Sequence, residues 1–140
     1  MLFRSGVVLH DILAAVSVPE DLQQAVAAAV ADGVLPAAEA AQVEADLSQA
    51  IASVAALHWF DSGSTVYNEL SIINTDGNVE RPDRVIMRDG ETIVVDYKFG
   101  EERKGYRWQV GRYMKLLRLM GHSRVKGYIW YVKNNKVEEI

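Results

Sequence analysis

Four charged side chains sit in or beside otherwise apolar stretches of this chain. They are Glu69 in "VYNELSII", Asp83 in "ERPDRVIM", and Asp96 and Lys98 at the end of "TIVVDYK". Side chains alternate along a strand, so Asp96 and Lys98 share a face. Asp89-Gly90 between two apolar runs is a hairpin signal. Asp83 and Asp96 lie nearly equidistant from that turn and can meet across the ladder. Carboxylates gathered at one sheet edge repel, and without compensation one of them would be protonated. A divalent cation is the usual compensation, and carboxylate oxygens suit Mg²⁺ or Mn²⁺. Such an ion lowers the pKa of water and neutralises charge on a phosphodiester under attack. Lys98 beside it would orient or deprotonate the water, or steady the phosphorane. The competing reading makes Asp96 and Lys98 solvated ends of a buried strand, with Asp83 paired to Arg81 or Arg84. Any one acid alone favours that reading; the four together, at hairpin-compatible spacing, favour a site.

The elements that must position these groups follow from periodicity and turn chemistry. Helices are expected over 2–16, over 19–32 with Pro19 at its first position and Gly33 as C-cap, and over 36–57, opened by Pro36. In the third, Val43, Leu47, Ile51 and Val54 form one apolar face. After "DSGST" the pattern turns to strands at 66–74, 79–88 and 91–99, with turns at 75–78 and 89–90. Pro82 marks a strand end, bulge or edge. Helical spacing returns over 104–120, a further strand runs over 124–132, and "KVEEI" forms a fifth. The expected fold is α/β: N-terminal helices, then βββ–α–β, with helices flanking a central mixed sheet in one domain.

A chain of 140 residues, 49% hydrophobic and 24% charged, fits one domain with a real core. The absence of cysteine excludes disulfides, thiolate zinc sites, Fe–S clusters and a cysteine nucleophile. No apolar run reaches the ~18–20 residues of a membrane span. His10 and Asp11 interrupt the apolar N-terminus, so no signal peptide is expected there. Charge is uneven: residues 1–97 hold 4 Lys/Arg and 15 Asp/Glu, whereas residues 98–140 hold 11 and 4. A basic final third beside acidic pairs suits a polyanion meeting a metal-binding patch.

The run "RPD…VVDYK" resembles motifs II and III of the PD-(D/E)xK nuclease superfamily. "GVVLH" (Gly6 to His10), "NEL" with Glu69, and "QVGRY" (Gln109 to Tyr113) are similar to the remaining motifs of the RecB/AddA-type nuclease domain at the C-terminal end of UvrD/Rep-type helicases. The resemblance covers residues 6–113 and implies a restriction-endonuclease-like core. It implies one domain over 1–140, helical in 1–60 and catalytic in 64–140. By the same resemblance His10, Asp83 and Asp96 bind metal with the Tyr97 backbone carbonyl, and Glu69 completes the acidic cluster. Lys98 is the catalytic lysine, and Gln109 and Tyr113 support it or touch the DNA backbone. Lys104, Arg107 and Lys115 would hold phosphates. The implied activity is an exonuclease-type, Mg²⁺- or Mn²⁺-dependent DNA nuclease without an Fe–S cluster. It would be cut from a larger helicase-nuclease of recombination and double-strand-break repair in the bacterial cytosol. The rival reading is a catalytically silent nuclease fold kept for DNA binding or docking.

Overall fold

Alanine-rich sequence with regular apolar spacing forms helix wherever one face can be buried. In the computed structural model, which describes residues 6–140, this gives α1 (Gly6–Ala14), α2 (Leu22–Ala31) and α3 (Ala37–Ser53). Residues 2–5 of the first expected helix lie outside the described residues. Val43, Leu47, Ile51 and Val54 are all buried, as their spacing requires. Pro19 opens a single 3₁₀ turn before α2, and the Asp21 carboxylate accepts the Ser17 and Val18 N–H groups to hold that turn. Gly33 takes a φ of 77°, closing α2 in the left-handed conformation open to glycine. Pro36 precedes α3 as its N-cap, and the helix gives way to a 3₁₀ turn at Ala55–Leu57. These elements belong to the first of two compact units, Met1–Ser62; the second is Gly63–Ile140.

The second unit holds β1 (Thr65–Asn68), β2 (Ile72–Ile73), β3 (Val79–Glu80), β4 (Arg84–Arg88), β5 (Glu91–Lys98), α4 (Lys104–Leu119), β6 (Val125–Tyr131) and β7 (Lys136–Glu139). Two expected strands are each broken. The run 66–74 stops at Asn68, because Glu69 turns to a φ of 55°, and resumes only as β2. The run 79–88 is cut at Arg81–Asp83, where Pro82 has no N–H to give a ladder. β2 and β3 pair as a separate ribbon. The main sheet has the order β1-β4-β5-β6-β7, antiparallel except for β5 and β6. The parallel pair is joined through α4, as a parallel connection demands.

α4 packs on one face of this sheet through Val110, Tyr113, Met114 and Leu117, against Val85, Val94, Val125 and Ile129. Gly127 of β6 lets the helix approach. A Cβ there would stand 2.4 Å from Met114 Sδ and 2.8 Å from Val110 Cγ1. Asp96 and Lys98 share the alternation of Val94, so they lie on the face that α4 covers.

Candidate active site at the end of strand β5

The β4–β5 hairpin turns at Asp89 and Gly90, both with positive φ, the geometry of a two-residue hairpin loop. Its register pairs Arg84 with Val95. Asp83, one residue before β4, therefore stands level with Asp96. Its Oδ2 accepts the Tyr97 N–H at 2.7 Å and extends the ladder by a side-chain bond where the strand has ended. Asp96 itself is 2% exposed. The alternative of solvated strand ends is thereby excluded for Asp96, and Lys98 keeps only 17% of its side chain exposed. The two arginines considered as partners for Asp83 also reach elsewhere: Arg81 Nε donates to Ser71 Oγ and Arg84 Nη1 to Asn68 Oδ1.

α4 brings a second set of groups to the same place. Lys98 Nζ lies 2.8 Å from Asp96 Oδ2, donates to Gln109 Oε1 at 3.0 Å, and sits 4.3 Å from the centre of the Tyr106 ring. Gln109 Nε2 in turn donates to the Tyr113 hydroxyl at 3.0 Å. Gln109 and Tyr113 are one helical turn apart and share a face, so a single helix orientation fixes the whole chain of contacts. Lys98 meets Asp96 Oδ2 as a close ion pair.

The electrostatics follow from burial. Asp96 is pushed up to about 7, first by desolvation, then by the charge of Asp83 and a side-chain hydrogen bond with it; Lys98 offsets part of this. At pH 7 the Asp96 carboxyl therefore carries its proton about half of the time. Tyr113 is pushed up to about 12 by desolvation and by the Asp96 charge, while its bond to Gln109 pulls the other way. It stays protonated at any working pH. Two carboxylates gathered at one strand end carry surplus negative charge, which a hard divalent cation neutralises. Mg²⁺ commonly takes only one or two carboxylates and keeps its waters. Among the described residues no group of three or more His, Cys, Asp or Glu side chains is placed to hold a metal ion.

The other sequence candidates are placed as follows. Glu69 is exposed in the turn after β1, not within a strand as expected, and its N–H donates to the Asp83 carbonyl at 3.0 Å. His10 belongs to the first unit, on α1, with Nδ1 2.8 Å from the Gly6 carbonyl oxygen. The Tyr97 ring points to the opposite face of β5, edge-on to Trp130 at 5.7 Å. Burial pushes its hydroxyl up to about 12, against the pull of nearby Arg84. Lys104 and Lys115 are exposed on α4, and Arg107 reaches across to Glu138 of β7 as an ion pair. Two contributors escaped the sequence reading. Tyr106 lies under Lys98, and its spacing from Gln109 and Tyr113, three and seven residues, was a usable helical-face signal. Glu80 of β3 binds Arg112 of α4 at 2.8 Å; in sequence it looked like one acid among many.

A family model for the PD-(D/E)XK nuclease superfamily matches residues 3–140. None of the curated proteins matches the chain significantly.

Proposed function

The chain belongs to the PD-(D/E)XK nuclease superfamily, and on that premise we propose that it is a Mg²⁺- or Mn²⁺-dependent DNA nuclease whose reaction centre is Asp83, Asp96 and Lys98. The observation that carries this reading is the convergence of Asp83 and the buried Asp96, with the Lys98 ammonium 2.8 Å from Asp96 Oδ2 and held there by Gln109. Asp83 and Asp96 would hold the cation, with the Tyr97 backbone carbonyl as the further ligand that the family resemblance implies. Glu69 would engage water at the same centre. When bound, the cation supplies a more acidic water and a counter-charge to the phosphodiester. The protein's own groups do the rest. Lys98 places a fixed positive charge where the phosphoryl oxygens gain negative charge. Gln109 accepts from Lys98 and so sets the ammonium's direction, and the Tyr113 hydroxyl fixes the amide of Gln109 in turn. Lys104, Arg107 and Lys115 would lie along the phosphate backbone, giving a binding constant that falls with salt. Water attacks phosphorus in line, the P–O3′ bond breaks, the departing 3′ oxygen gains the proton that the water gives up, and a 3′ hydroxyl and a 5′ phosphate remain.

We further propose that both units act as one nuclease domain, exonuclease-type, attached to a helicase motor of DNA recombination and double-strand-break repair and working in the cytosol. The motif resemblance to RecB/AddA-type domains supports this, and a helicase motor encoded upstream of Met1 is its test. No described helix is long and apolar enough to cross a membrane. The activity itself is tested by incubating the folded protein with linear DNA. Degradation with Mg²⁺ or Mn²⁺ and none with EDTA is expected. A folded sample inactive with every metal and DNA form would favour the silent DNA-binding module instead.

A further inference from the structure

On the side of α4 next to the Gln109–Tyr113 face lies an open groove of about 570 Å³, lined on the helix by Trp108, Arg112, Lys115 and Leu119. These residues recur at helical spacing and form one stripe. The indole of Trp108 is 67% exposed, and the Arg112 guanidinium lies 5.3 Å from its ring centre. The facing wall is the turn between β2 and β3, at Asn74 and Asp76. That wall is anchored. Asn74 is buried, its Oδ1 accepts the N–H groups of Asp76 and Asn78, and its Nδ2 donates to Glu80 Oε2 at 2.9 Å. The same Glu80 oxygen binds Arg112, so the turn is tied to the helix and the groove is held open. Arg112 lies three residues after Gln109 and next to Tyr113 on α4, so the groove's inner end adjoins the Lys98–Gln109–Tyr113 chain.

An exposed flat aromatic, flanked by a guanidinium and an ammonium on one stripe, combines the two interactions that hold single-stranded nucleic acid: base stacking and phosphate neutralisation. A paired base presents only its edge, so an indole in an open groove selects a base that has left the duplex. We propose that this groove binds a single-stranded segment of the DNA next to the scissile phosphate, with one base stacked on Trp108 and a phosphate at Lys115 and Arg112. The choice of DNA rests on the nuclease reading above.

The test is binding of a fluorescent oligothymidylate of about 12 nucleotides, and of a duplex of equal length, to the whole chain in EDTA by anisotropy. Trp108→Ala is expected to weaken oligothymidylate binding about 5- to 100-fold, with Trp108→Phe retaining most of it. Lys115→Ala is expected to reduce the salt dependence by about 0.7 in slope. Because Trp108 is largely exposed, its replacement spares the core, and circular dichroism confirms the fold. Unchanged oligothymidylate binding by Trp108→Ala, or a loss confined to the duplex, overturns the proposal. With no cleavage in EDTA, the groove is tested apart from the activity. A protein that binds in this way but never cuts contradicts only the nuclease reading. One that cuts, while Trp108→Ala binds normally, contradicts only the groove.

Discussion

The β4–β5 hairpin and the stretch 66–80 both carry acids inside apolar sequence, and those acids end in opposite surroundings. Asp96 is 2% exposed, whereas Glu69 sits in an exposed turn with a φ of 55°. β5 is a central strand, buried over Thr92–Tyr97, so a one-residue slip would move every apolar side chain to the wrong face. Its register is thereby fixed and its charged residues are carried in with it. The 66–80 stretch has no such constraint: Ile73 is 72% exposed and Val79 55%. Its backbone is free to turn at Glu69 and to break at Pro82. Burial on both faces makes a charged residue expensive, and at Asp96 the Lys98 ammonium 2.8 Å away offsets part of that cost.

The largest expected effect breaks this contrast at the chemistry. Asp96→Asn and Lys98→Ala should each lower DNA cleavage by on the order of 10³-fold, while Glu69→Gln, on the exposed turn, should cost about 10-fold or less. Initial rates with Mg²⁺ at matched protein concentration measure the difference. Gln109→Ala should fall between them, at about 10- to 100-fold, because it frees Lys98 without removing it.

Stability against pH sharpens the same comparison. Asp96 holds its proton to about 7 in the folded chain, against 3.8 as the ordinary value. The folded state therefore binds the extra proton between those limits, and stability falls as pH rises from about 4 to about 7, by at most about 4 kcal/mol. Denaturation midpoints in EDTA should drop over this window for the wild type and stay nearly flat for Asp96→Asn. Adding Mn²⁺ at pH 7.5 should restore the wild type alone.

Packing gives the smaller effects. Gly127→Ala pushes a methyl into Met114 and Val110 and should cost about 1–3 kcal/mol, with some loss of activity as α4 and Gln109 shift. Ile73→Thr in the exposed ribbon should change stability by no more than about 0.5 kcal/mol. Urea midpoints check both.

Much of this was legible from residue order. The Asp-Gly turn and equal spacing of Asp83 and Asp96 gave their meeting, because a two-residue hairpin leaves only one register. The stripe Val43, Leu47, Ile51 and Val54 marked α3's buried face through its period. Glu69 was misplaced because alternation in "VYNELSII" ignores φ, and a positive φ at a glutamate has no compositional signature. The split of 79–88 was half visible: Pro82 announced a strand end, but nothing local showed that the preceding residues would pair with Ile72 and Ile73 instead. Tyr106 was overlooked because a cation–π partner is set by how α4 leans on β5, and that lean depends on Gly127, 21 residues further along the chain.

Calorimetric titration with Mn²⁺ tests the central claim most directly, since it asks whether Asp83 and Asp96 form one cation site. The wild type should bind Mn²⁺ with release of about half a proton at pH 7. Asp83→Ala and Asp96→Asn should each abolish binding, while DNA affinity in EDTA stays within about threefold. Undiminished Mn²⁺ binding in either folded variant would contradict it.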